Sequence, residues 1–320
     1  MKATILVSSA GRRVGLIDCF RQSAADAGID LRVLAADMAP DMSAACHAAD
    51  QAFSVPRCSD PGFVDAVLGI ASQNMVDLIV PTIDDELAPL SNAIERFRSA
   101  GTHVHVSPPS VIEIVRDKVS TAKVLAAAGV PVPWTVSLDE GRRLNGELTW
   151  PLFLKPSAGS ASRGIRIATS PADFPADPPE AMMLQQLLSG PEFTVNMFID
   201  KHGTLRSSVA HRRLQIRAGE VEKGRTERDP VFRSLAEGVA AALPEARGVM
   251  CFQVIVDETS GARIFEINAR FGGGYPLAHF AGAQYARWLL EECVGLPSTA
   301  HDDWRSGALM LRYDAATFTG

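Results

Sequence analysis

The sequence predicts a fold in two parts, an α/β region followed by an α+β region, and three observations support this. Over the first hundred residues, short apolar runs typical of strands alternate with amphipathic runs typical of helices, which favours a parallel sheet covered on both faces. From about residue 134, strand-like runs follow one another in hairpins, which indicates antiparallel sheets with segregated helices. Between the two parts, the Pro-rich segment 107–110 is a stiff break and a natural boundary.

Each element is assigned from its own pattern of apolar residues and from the turn residues that flank it. In the first part, predicted strands cover 4–8, 31–37, 77–82 and 103–107, and predicted helices cover 62–73 and 86–100. A further helical stretch, 110–128, ends at Gly129, where the Pro-containing segment 130–133 stops it. In the second part, predicted strands cover 151–155, 164–168, 182–188, 193–199, 205–216, 249–256, 264–270 and 308–313, and predicted helices cover 230–243 and 277–294.

Composition and charge are those of an ordinary globular protein. The 320 residues suffice for two or three domains, and 47% hydrophobic with 21% charged residues is usual for such proteins. The net charge of −6 argues against nucleic acid or an anionic membrane as the main partner. No apolar run reaches about 18 residues, and the first residues lack a signal-peptide cleavage pattern. The five cysteines are scattered without a CxxC spacing, so we expect reduced thiols in a cytoplasmic protein.

The most informative stretch is 265–270, in which apolar and polar residues alternate as in a half-buried strand. Glu266, Asn268 and Arg270 would then share one face, where two oxygen ligands beside a positive charge suit a hard cation and the phosphates it carries. A hairpin turn at 258–261 would bring Gln253, on the preceding strand, beside Glu266 as a third oxygen donor. The alternative is a hairpin whose polar residues simply face water, and on this stretch alone the two interpretations weigh equally.

Two lysines are candidates for binding phosphate. Lys155 ends an apolar strand and precedes the small-residue loop 156–164, whose N–H groups could close over phosphate oxygens. This is not a P-loop, since the lysine precedes the loop and no GxxxxGK[ST] is present, and a flexible hairpin turn is the alternative. Lys118 lies inside the helical stretch after the break, where a lysine is more often a solvated surface residue.

Two hairpin-like segments carry further candidates. In 185–195, an exposed hinge could pair with an adenine edge and Glu192 could hold ribose hydroxyls, although an ordinary hairpin with an exposed glutamate is favoured in isolation. Farther along, residues 211–213 and 223–225 form a cationic patch suited to an anionic substrate or a transferring phosphoryl group. A solvated basic edge strand explains that patch equally well.

Three loops are also candidates for ligand contact. Segment 8–15 with Asp37 imitates a dinucleotide site, but its glycine spacing is GxxxG rather than GxGxxG. The acids at 84–86 are most simply helix caps and dipole partners, although they follow a strand at the sheet edge where open α/β folds bind ligands. The glycines at 272–274 would let a ligand approach the backbone, or form a plain strand-to-helix turn.

The order of these motifs resembles the ATP-grasp superfamily, most of all its carbamoyl-phosphate-synthase-like branch. That order is Lys118 after the break, Lys155 with its small-residue loop, 185–188 followed by Glu192, and then Gln253 ahead of Glu266-Ile267-Asn268-Ala269-Arg270. The resemblance covers nearly the whole chain. It implies a Rossmann-like pre-ATP-grasp domain over 1–109 and a two-subdomain ATP-grasp fold over 110–320, in which about 134–188 form the smaller lid subdomain with the mobile loop.

The resemblance also implies roles at the matching positions. Lys118 and Lys155 would bind ATP phosphates, and Arg270 would steady the γ-phosphoryl group. The other implied roles are nucleotide contacts for Gly159, Ser160, Ser162, Gly164, Gln186, Leu187, Leu188 and Glu192, and magnesium ligation by Gln253, Glu266 and Asn268. From the cationic patch we add His211 as a nucleotide contact and Arg213 as a catalytic cation beside Lys155 and Arg270.

Two departures from the family pattern bear on activity. The loop has fewer glycines than many members have, and Gln253 replaces an acidic metal ligand that is common elsewhere in the superfamily. A neutral ligand weakens a metal site electrostatically, although the carbamoyl-phosphate-synthase branch is similar in this respect. Carbamoyl-phosphate synthesis itself is not expected, since that enzyme's large subunit carries two such modules and this chain has room for one.

The resemblance implies an ATP- and Mg²⁺-dependent ligase, with Mn²⁺ as an acceptable substitute, and we expect it to be cytoplasmic. A substrate carboxylate would be phosphorylated as ATP becomes ADP, and the acyl-phosphate would react with an amine, forming a C–N bond, or with another nucleophile. The expected partners are small molecules, among them an amino acid, with neither nucleic acid nor membrane, and a homodimer is compatible. The alternatives are a catalytically silent nucleotide-binding protein and an NAD(P)-dependent oxidoreductase that uses the first domain.

Overall fold

The computed structural model describes residues 1–144, 146–159 and 165–319, which form three β-sheets flanked by helices. The strands of the first sheet are Lys2–Ser8 (β1), Asp30–Asp37 (β2), Gln51–Ser54 (β3), Leu78–Pro81 (β4) and His103–Val104 (β5). They are all parallel and lie in the order β3-β2-β1-β4-β5. The helices that follow these strands are Val14–Asp26 (α1), Ala44–Ala48 (α2), Phe63–Asn74 (α3), Leu87–Asn92 (α4) and Ile94–Ser99 (α5).

Alternate residues of the central strand β1 point into two different cores. Leu6 packs in one core with Val67 of α3, whereas Ile5 packs in another with Phe20 of α1. Both faces of the sheet are therefore covered by helices, which confirms the α/β prediction for this region and explains its almost continuously apolar strands.

Two elements of this region differ from the prediction. The strand β3 has no counterpart in it, because its four residues begin with the exposed Gln51 and Ala52 and present no apolar run. The predicted helix 86–100 is divided at Ala93 into α4 and α5.

The predicted helical stretch 110–128 is also two helices, Pro109–Arg116 (α6) and Lys118–Ala127 (α7). Asp117 separates them in an extended conformation (φ −110°, ψ 115°), and its carboxylate accepts a hydrogen bond of 2.6 Å from the backbone N–H of Ser120. This is an N-cap, which satisfies one of the free donors at the start of a helix. Lys118 consequently occupies the first residue of α7 rather than the middle of a long helix.

The second sheet has four antiparallel strands, Thr135–Ser137 (β6), Leu152–Pro156 (β7), Arg166–Ala168 (β8) and Met182–Gln186 (β9), in the order β6-β9-β7-β8. One short helix, Leu138–Arg143 (α8), packs on it. Its buried core is small and separate from the other cores, and comprises Val136, Leu138, Leu152, Leu154, Ala168 and Leu184.

The third sheet is antiparallel and has six strands. They are Glu192–Ile199 (β10), Leu205–Arg217 (β11), Glu220–Thr226 (β12), Gly248–Asp257 (β13), Gly261–Asn268 (β14) and Leu309–Leu311 (β15), in the order β14-β13-β10-β11-β12-β15. The helices of this part are Pro230–Ala242 (α9), Tyr275–Phe280 (α10) and Tyr285–Cys293 (α11). The α+β prediction is confirmed here, but the predicted helix 277–294 is broken between α10 and α11, where Gly282 has a φ of 111°.

The first and third sheets share their cores. Ile79 of β4 lies in the same apolar cluster as Phe252 of β13, and Ile5 of β1 lies in the same cluster as Trp288 of α11. The loops at the carboxyl ends of the parallel strands therefore have fixed positions beside the antiparallel sheet. Within the described part of the chain, no helix combines the length and the apolar character that crossing a membrane requires.

Candidate active site

A cleft of about 480 Å³ lies between the second and third sheets, and the loops that follow β1 and β4 close one end of it. One wall carries Phe153, Lys155 and Gln186 of the second sheet, and the facing wall carries Gln253 and Glu266 of the third. Most of the polar residues that the motif analysis singled out meet in this cleft. It is therefore the candidate active site.

Lys118 bridges the two walls. Its Nζ donates a hydrogen bond of 2.7 Å to the carbonyl oxygen of Gly159, which follows β7, and lies 3.5 Å from Oε1 of Glu266 on β14. The side chain is only 11% exposed, so this ammonium is fixed at the cleft by its position at the start of α7 rather than being a solvated surface group.

Lys155, near the end of β7, carries the second ammonium of the cleft. Its Nζ donates a hydrogen bond of 2.9 Å to Oε1 of Gln185, whose Nε2 donates in turn to Oγ1 of Thr135 at 3.0 Å. The ring of Phe265 lies below it, with 5.6 Å between Nζ and the ring centroid. Burial lowers the pKa of Lys155 to about 8, Glu266 opposes this effect and the charge of Lys118 adds to it. The site thus holds two cations close together with little water around them, which suits a polyanionic ligand.

Three oxygen donors line the opposite wall. The strand register pairs Gln253 with Glu266, as the predicted hairpin requires, and the bulge between Gln253 and Val254 accommodates Phe265 as an extra residue. Asn268 is two residues beyond Glu266 on β14 and lines the same cleft. One carboxylate and two carboxamides offer oxygen ligands of the kind that Mg²⁺ binds together with phosphate oxygens. Across the described residues, no cluster of three or more His, Cys, Asp or Glu residues is arranged to hold a metal ion by itself.

Arg270 does not belong to the strand, which ends at Asn268, so the prediction that residues 266, 268 and 270 share one strand face is wrong for Arg270. Its guanidinium nevertheless reaches the cleft, where Nε and Nη2 bind the carboxylate of Asp84 at 3.1 and 2.6 Å. Nη2 also donates to Oδ1 of Asn268 at 3.2 Å. Ala269 is buried, which fixes the backbone between Asn268 and Arg270.

The acids at 84–86 have different roles. Glu86 is fully buried and accepts hydrogen bonds from the hydroxyls of Ser8 and Ser9 and from the backbone N–H of Thr82, so it ties together the loops after β1 and β4. This agrees with the capping interpretation of that residue. Asp84 instead lines the cleft and orients Arg270.

Glu192 and Arg213 form a salt bridge at another edge of the cleft, and Nη2 of Arg213 also donates to the carbonyl oxygen of Gly219 at 2.8 Å. Burial raises the pKa of Glu192, and the neighbouring charge of Arg213 opposes this rise. The cleft is also lined by large apolar side chains that suit a flat aromatic ligand: Phe153, Ile165, Leu188, Ile216, Ile255 and Phe265.

The structure brings together the majority of the predicted site residues. Those lining the cleft are Lys118, Lys155, Gly159, Gln186, Leu188, Glu192, Arg213, Gln253, Glu266, Asn268 and Arg270. Leu187 is half-buried and does not line it. The predicted contacts Ser160, Ser162 and Gly164 lie outside the described residues.

His211 does not have the environment that a nucleotide contact requires. It is fully buried within β11 and does not line the cleft, and its Nδ1 is 3.2 Å from Nδ2 of Asn196 on the neighbouring strand β10. Burial lowers its pKa to about 3, so the imidazole is neutral and adds nothing to the cationic patch near Arg213.

Sequence reasoning singled out the loop 8–15, with Arg12 and Arg13, as a candidate for ligand contact, but it missed Glu220 and Arg312, which complete a charged group at the end of the cleft beside the parallel sheet. Oε1 of Glu220 is 2.8 Å from Nη1 of Arg13, and Oε2 is 2.9 Å from Nη1 of Arg312 and 3.4 Å from Nη2 of Arg12. We refer to these four residues as the arginine cluster. The available signal was the pair of consecutive arginines directly after β1, at the sheet edge where open α/β folds bind ligands.

The glycines at 272–274 are required by close packing around this cluster. A Cβ on Gly273 would lie 2.7 Å from the carboxylate of Glu220 and 2.8 Å from Nη1 of Arg13. A Cβ on Gly274 would lie 2.7 Å from Nε2 of His211. The loop is thus more than a plain turn, because it lets the backbone touch the charged end of the cleft.

The loop that imitates a dinucleotide site uses its acid internally. The backbone N–H of Gly11 donates to Oδ2 of Asp37 at 2.9 Å, and the carbonyl oxygen of Gly11 accepts from Ser43 at 2.8 Å. Asp37 therefore stabilises the loop, and the oxidoreductase alternative gains no support.

A family model described as "ATP-grasp domain" matches residues 115–274, and one described as "PylC-like, N-terminal domain" matches residues 5–105. The first match spans half of the chain, and the chain therefore belongs to the ATP-grasp family, as the order of its motifs predicts.

Two curated relatives match shorter parts of the chain. Biotin carboxylase 1, chloroplastic, of Populus trichocarpa is 34% identical over 86 residues, which are 25% of this chain and 16% of that protein. The carbamoyl phosphate synthase large chain of Mycobacterium sp. (strain JLS) is 29% identical over 76 residues, which are 23% of this chain and 7% of that protein. The chain thus spans less than a fifth of the length of either protein in these matches.

A solved structure matches over nearly the whole chain. The biotin carboxylase domain of Hydrogenobacter thermophilus 2-oxoglutarate carboxylase, in complex with MgADP, ADP and bicarbonate, superposes with a TM-score of 0.73. The alignment covers 96% of this chain and 73% of that one at 18% identity. At this identity the likeness establishes the shared fold.

Proposed function

We propose that the protein is an ATP- and Mg²⁺-dependent ligase that activates a substrate carboxylate as an acyl-phosphate and transfers the acyl group to an amine. One observation carries the proposal: Lys118 and Lys155 face Gln253, Glu266 and Asn268 across a single cleft, with 3.5 Å between Nζ of Lys118 and Oε1 of Glu266. Cations for phosphate and oxygen ligands for a metal are the two things that phosphoryl transfer needs from a protein.

ATP would lie along the cleft. The apolar side chains Phe153, Leu188 and Ile255 would sandwich the adenine, and Glu192 would accept hydrogen bonds from the ribose hydroxyls. The phosphates would then meet Lys118 and Lys155, whose present hydrogen-bond acceptors, a carbonyl oxygen and a glutamine amide, are neutral and readily exchanged for anionic oxygens, while Glu266 stays 3.5 Å from Nζ of Lys118. Leu187, outside the cleft, would contribute only through its backbone.

The donor set fits Mg²⁺ or Mn²⁺ delivered with the nucleotide. Gln253, Glu266 and Asn268 supply three oxygens with a single negative charge, so phosphate oxygens would complete the coordination. When bound, the metal neutralises charge that develops on the β- and γ-phosphate oxygens. Because these three ligands carry only one negative charge, we expect a metal ion to bind only together with ATP.

The chemistry then needs positioning more than covalent participation of the protein. An oxygen of the substrate carboxylate attacks the γ-phosphorus, the bond to the bridging oxygen breaks, and ADP leaves as an anion held by Lys118 and Lys155. Arg270, oriented by Asp84, would stabilise the transferring phosphoryl group. The amine then attacks the acyl carbon, loses a proton and expels inorganic phosphate.

Three structural units would divide this work. Residues 1–109 would form the N-terminal domain and 110–320 the ATP-grasp domain, with about 134–188 as the lid that carries Lys155. The separate small core of the second sheet supports this division, since a sheet with its own core moves as a unit. The partners would be small molecules, namely a carboxylate and an amine or amino acid. The structural relative was likewise solved in complex with a small anion, bicarbonate.

The test is Mg²⁺-dependent ADP release in the presence of hydroxylamine, screened over small carboxylates and amino acids. ADP together with a hydroxamate would identify an acyl-phosphate and its carboxylate. Failure to bind the non-hydrolysable analogue AMPPCP would overturn the proposal. Tight AMPPCP binding without ADP release from any carboxylate would instead favour the silent nucleotide-binding alternative.

A further inference from the structure

The arginine cluster, Arg12, Arg13, Glu220 and Arg312, has no task in the phosphoryl transfer just described. Its members come from three separate segments: the loop after β1, the start of β12 and the residue after β15. Such convergence of distant segments costs conformational entropy and desolvation, and a hydrogen-bonded charge network at the end of a ligand cleft is a candidate binding site.

The cluster has a surplus of positive charge. Three guanidiniums surround one carboxylate, whereas the whole chain has a net charge of −6. The side chains of Arg13 and Glu220 are only 18% and 19% exposed and form a weakly screened pair, whereas Arg12 and Arg312, which carry the surplus charge, are 65% and 31% exposed.

Glu220 cannot serve as the proton acceptor for an amine. Burial alone would raise its pKa, but Arg13, Arg312 and Arg12 outweigh that effect and lower the pKa to about 2. A carboxylate with so low a pKa is a permanent anion that holds guanidiniums in place, and a poor base near neutral pH.

The free side of the cluster faces the cleft. Arg12, Arg13 and Glu220 line it together with Arg270, whereas Arg312 does not line it and donates to the carbonyl oxygen of Gly273. Within the described part of the chain, Arg13 makes its hydrogen bond through Nη1 alone, which leaves Nε and Nη2 as donors. Burial lowers the pKa of Arg13, Glu220 opposes this, and the charge of Arg270 adds to the lowering, so these two guanidiniums repel across the gap.

We propose that this end of the cleft binds a second anionic group of the substrate, a carboxylate or a phosphate, distinct from the carboxylate that is phosphorylated. The substrate is accordingly a diacid or a phosphorylated acid, with its anionic tail on Arg12 and Arg13 and its reacting carboxylate near Arg270. This inference rests on the proposed function, which supplies the reacting end. Glu220 keeps the guanidiniums oriented before the substrate arrives, which reduces the ordering cost of binding.

Calorimetry on the full chain with Mg²⁺ and saturating AMPPCP tests the inference with two matched pairs of probes. Succinate is compared with its monoamide succinamate, and phosphoglycolate with glycolate. We expect the probe with the extra anion to bind about tenfold more tightly, and the pair with the larger ratio identifies carboxylate or phosphate as the preferred tail.

Variants of the cluster should change this preference in opposite directions. Arg13→Gln should remove most of the tenfold ratio while changing succinamate or glycolate affinity by less than about twofold. Glu220→Gln should tighten binding of the doubly anionic probes, because the competing negative charge is gone while the amide oxygen can still accept a hydrogen bond from Arg13 and keep it oriented. Arg96→Gln, which removes an exposed arginine paired with Asp65, is the matched control and should leave the ratio unchanged. Thermal unfolding and AMPPCP affinity verify that each variant is folded.

The outcomes separate the two proposals. Equal affinity within both pairs, or no probe binding up to about 10 mM, overturns the inference and leaves the proposed function standing. Displacement of succinate or phosphoglycolate by AMPPCP also overturns it, because the anion would then occupy the phosphate end. If AMPPCP itself does not bind, the proposed function fails, and the Arg13→Gln comparison without nucleotide still decides whether the cluster binds anions.

Discussion

The guanidinium of Arg270 makes two hydrogen bonds to the carboxylate of Asp84, at 3.1 and 2.6 Å, and so joins the segment after the β13–β14 hairpin to the loop at the end of the parallel strand β4. Both side chains are nearly buried, with exposures of 13% and 10%. This ion pair fixes the segment after β14 of the third sheet relative to the loop after β4 of the first sheet. Under the proposed function, the two parts of the substrate would meet between these segments.

Asp84→Asn should destabilise the protein by about 3 kcal/mol, because it leaves a buried guanidinium without its compensating charge. The measurement is the free energy of unfolding in urea. Asp85→Asn is the matched control: its carboxylate pairs with Arg116 at 2.8 Å but is 66% exposed, so the expected loss is below about 0.5 kcal/mol. Equal losses in both variants would contradict the assignment of a buried, structurally required pair to Asp84.

Glu266→Gln should reduce ADP release at least a hundredfold or so, because it removes the single negative charge from the proposed metal ligands while preserving the size of the side chain. The variant should keep the native fold, although its unfolding midpoint should fall because Lys118 loses its charge partner. The control is Glu258→Gln, in the exposed turn of the same hairpin, which should retain full activity. Undiminished turnover by the Glu266 variant would refute the metal assignment.

The affinity for AMPPCP should depend on the protonation of Lys155. With a pKa of about 8 in the free protein, the ammonium is half deprotonated at that pH, nearly fully charged a pH unit below it and mostly neutral a pH unit above it. Phosphate binding requires the charged form, so affinity should be nearly constant below about pH 7, begin to fall as the pH approaches 8, and fall by up to about tenfold per pH unit above it. Titrations from pH 6.5 to 9.5 measure this. In Lys155→Arg the guanidinium stays charged, and the decline should disappear; an identical decline in that variant would mean that another group titrates.

Gly273→Ala should destabilise the glycine loop by about 1–3 kcal/mol, since its Cβ would lie 2.7 Å from the carboxylate of Glu220. Gly69→Ala, in α3, meets no atom within 4 Å and should stabilise the chain by about 0.5–1 kcal/mol through helix propensity. Opposite signs in thermal unfolding would support the close-packing explanation of the loop. A neutral effect at Gly273 would argue that the loop has room for a side chain.

The β13–β14 hairpin with its proposed metal ligands and the two lysines were accessible from the sequence because their signals are local. A two-residue alternation places Glu266 and Asn268 on one face, and a turn of fixed length sets Gln253 opposite Glu266. The position of Lys118 could not be derived from the apolar pattern alone. Only the N-cap at Asp117 reveals that Lys118 begins a helix instead of lying inside one.

The arginine cluster and the burial of His211 were not accessible in the same way. Arg13 and Glu220 are 207 residues apart in sequence, and each one alone resembles an ordinary surface charge. His211 lies in a strand whose polar residues continue on both faces, so no periodicity reveals which of them is buried. Only the packing of α10 and its glycine loop against β11 determines that.

The separate six-residue core of the second sheet has a consequence for hydrogen exchange. So few buried apolar side chains stabilise this sheet far less than the shared cores stabilise the rest, and its local unfolding should need much less free energy than global unfolding. Its backbone amides should therefore exchange with solvent first, as one cooperative group. A ligand that binds both Lys155 on this sheet and Glu266 on the opposite wall would slow that exchange without contacting most of the amides concerned.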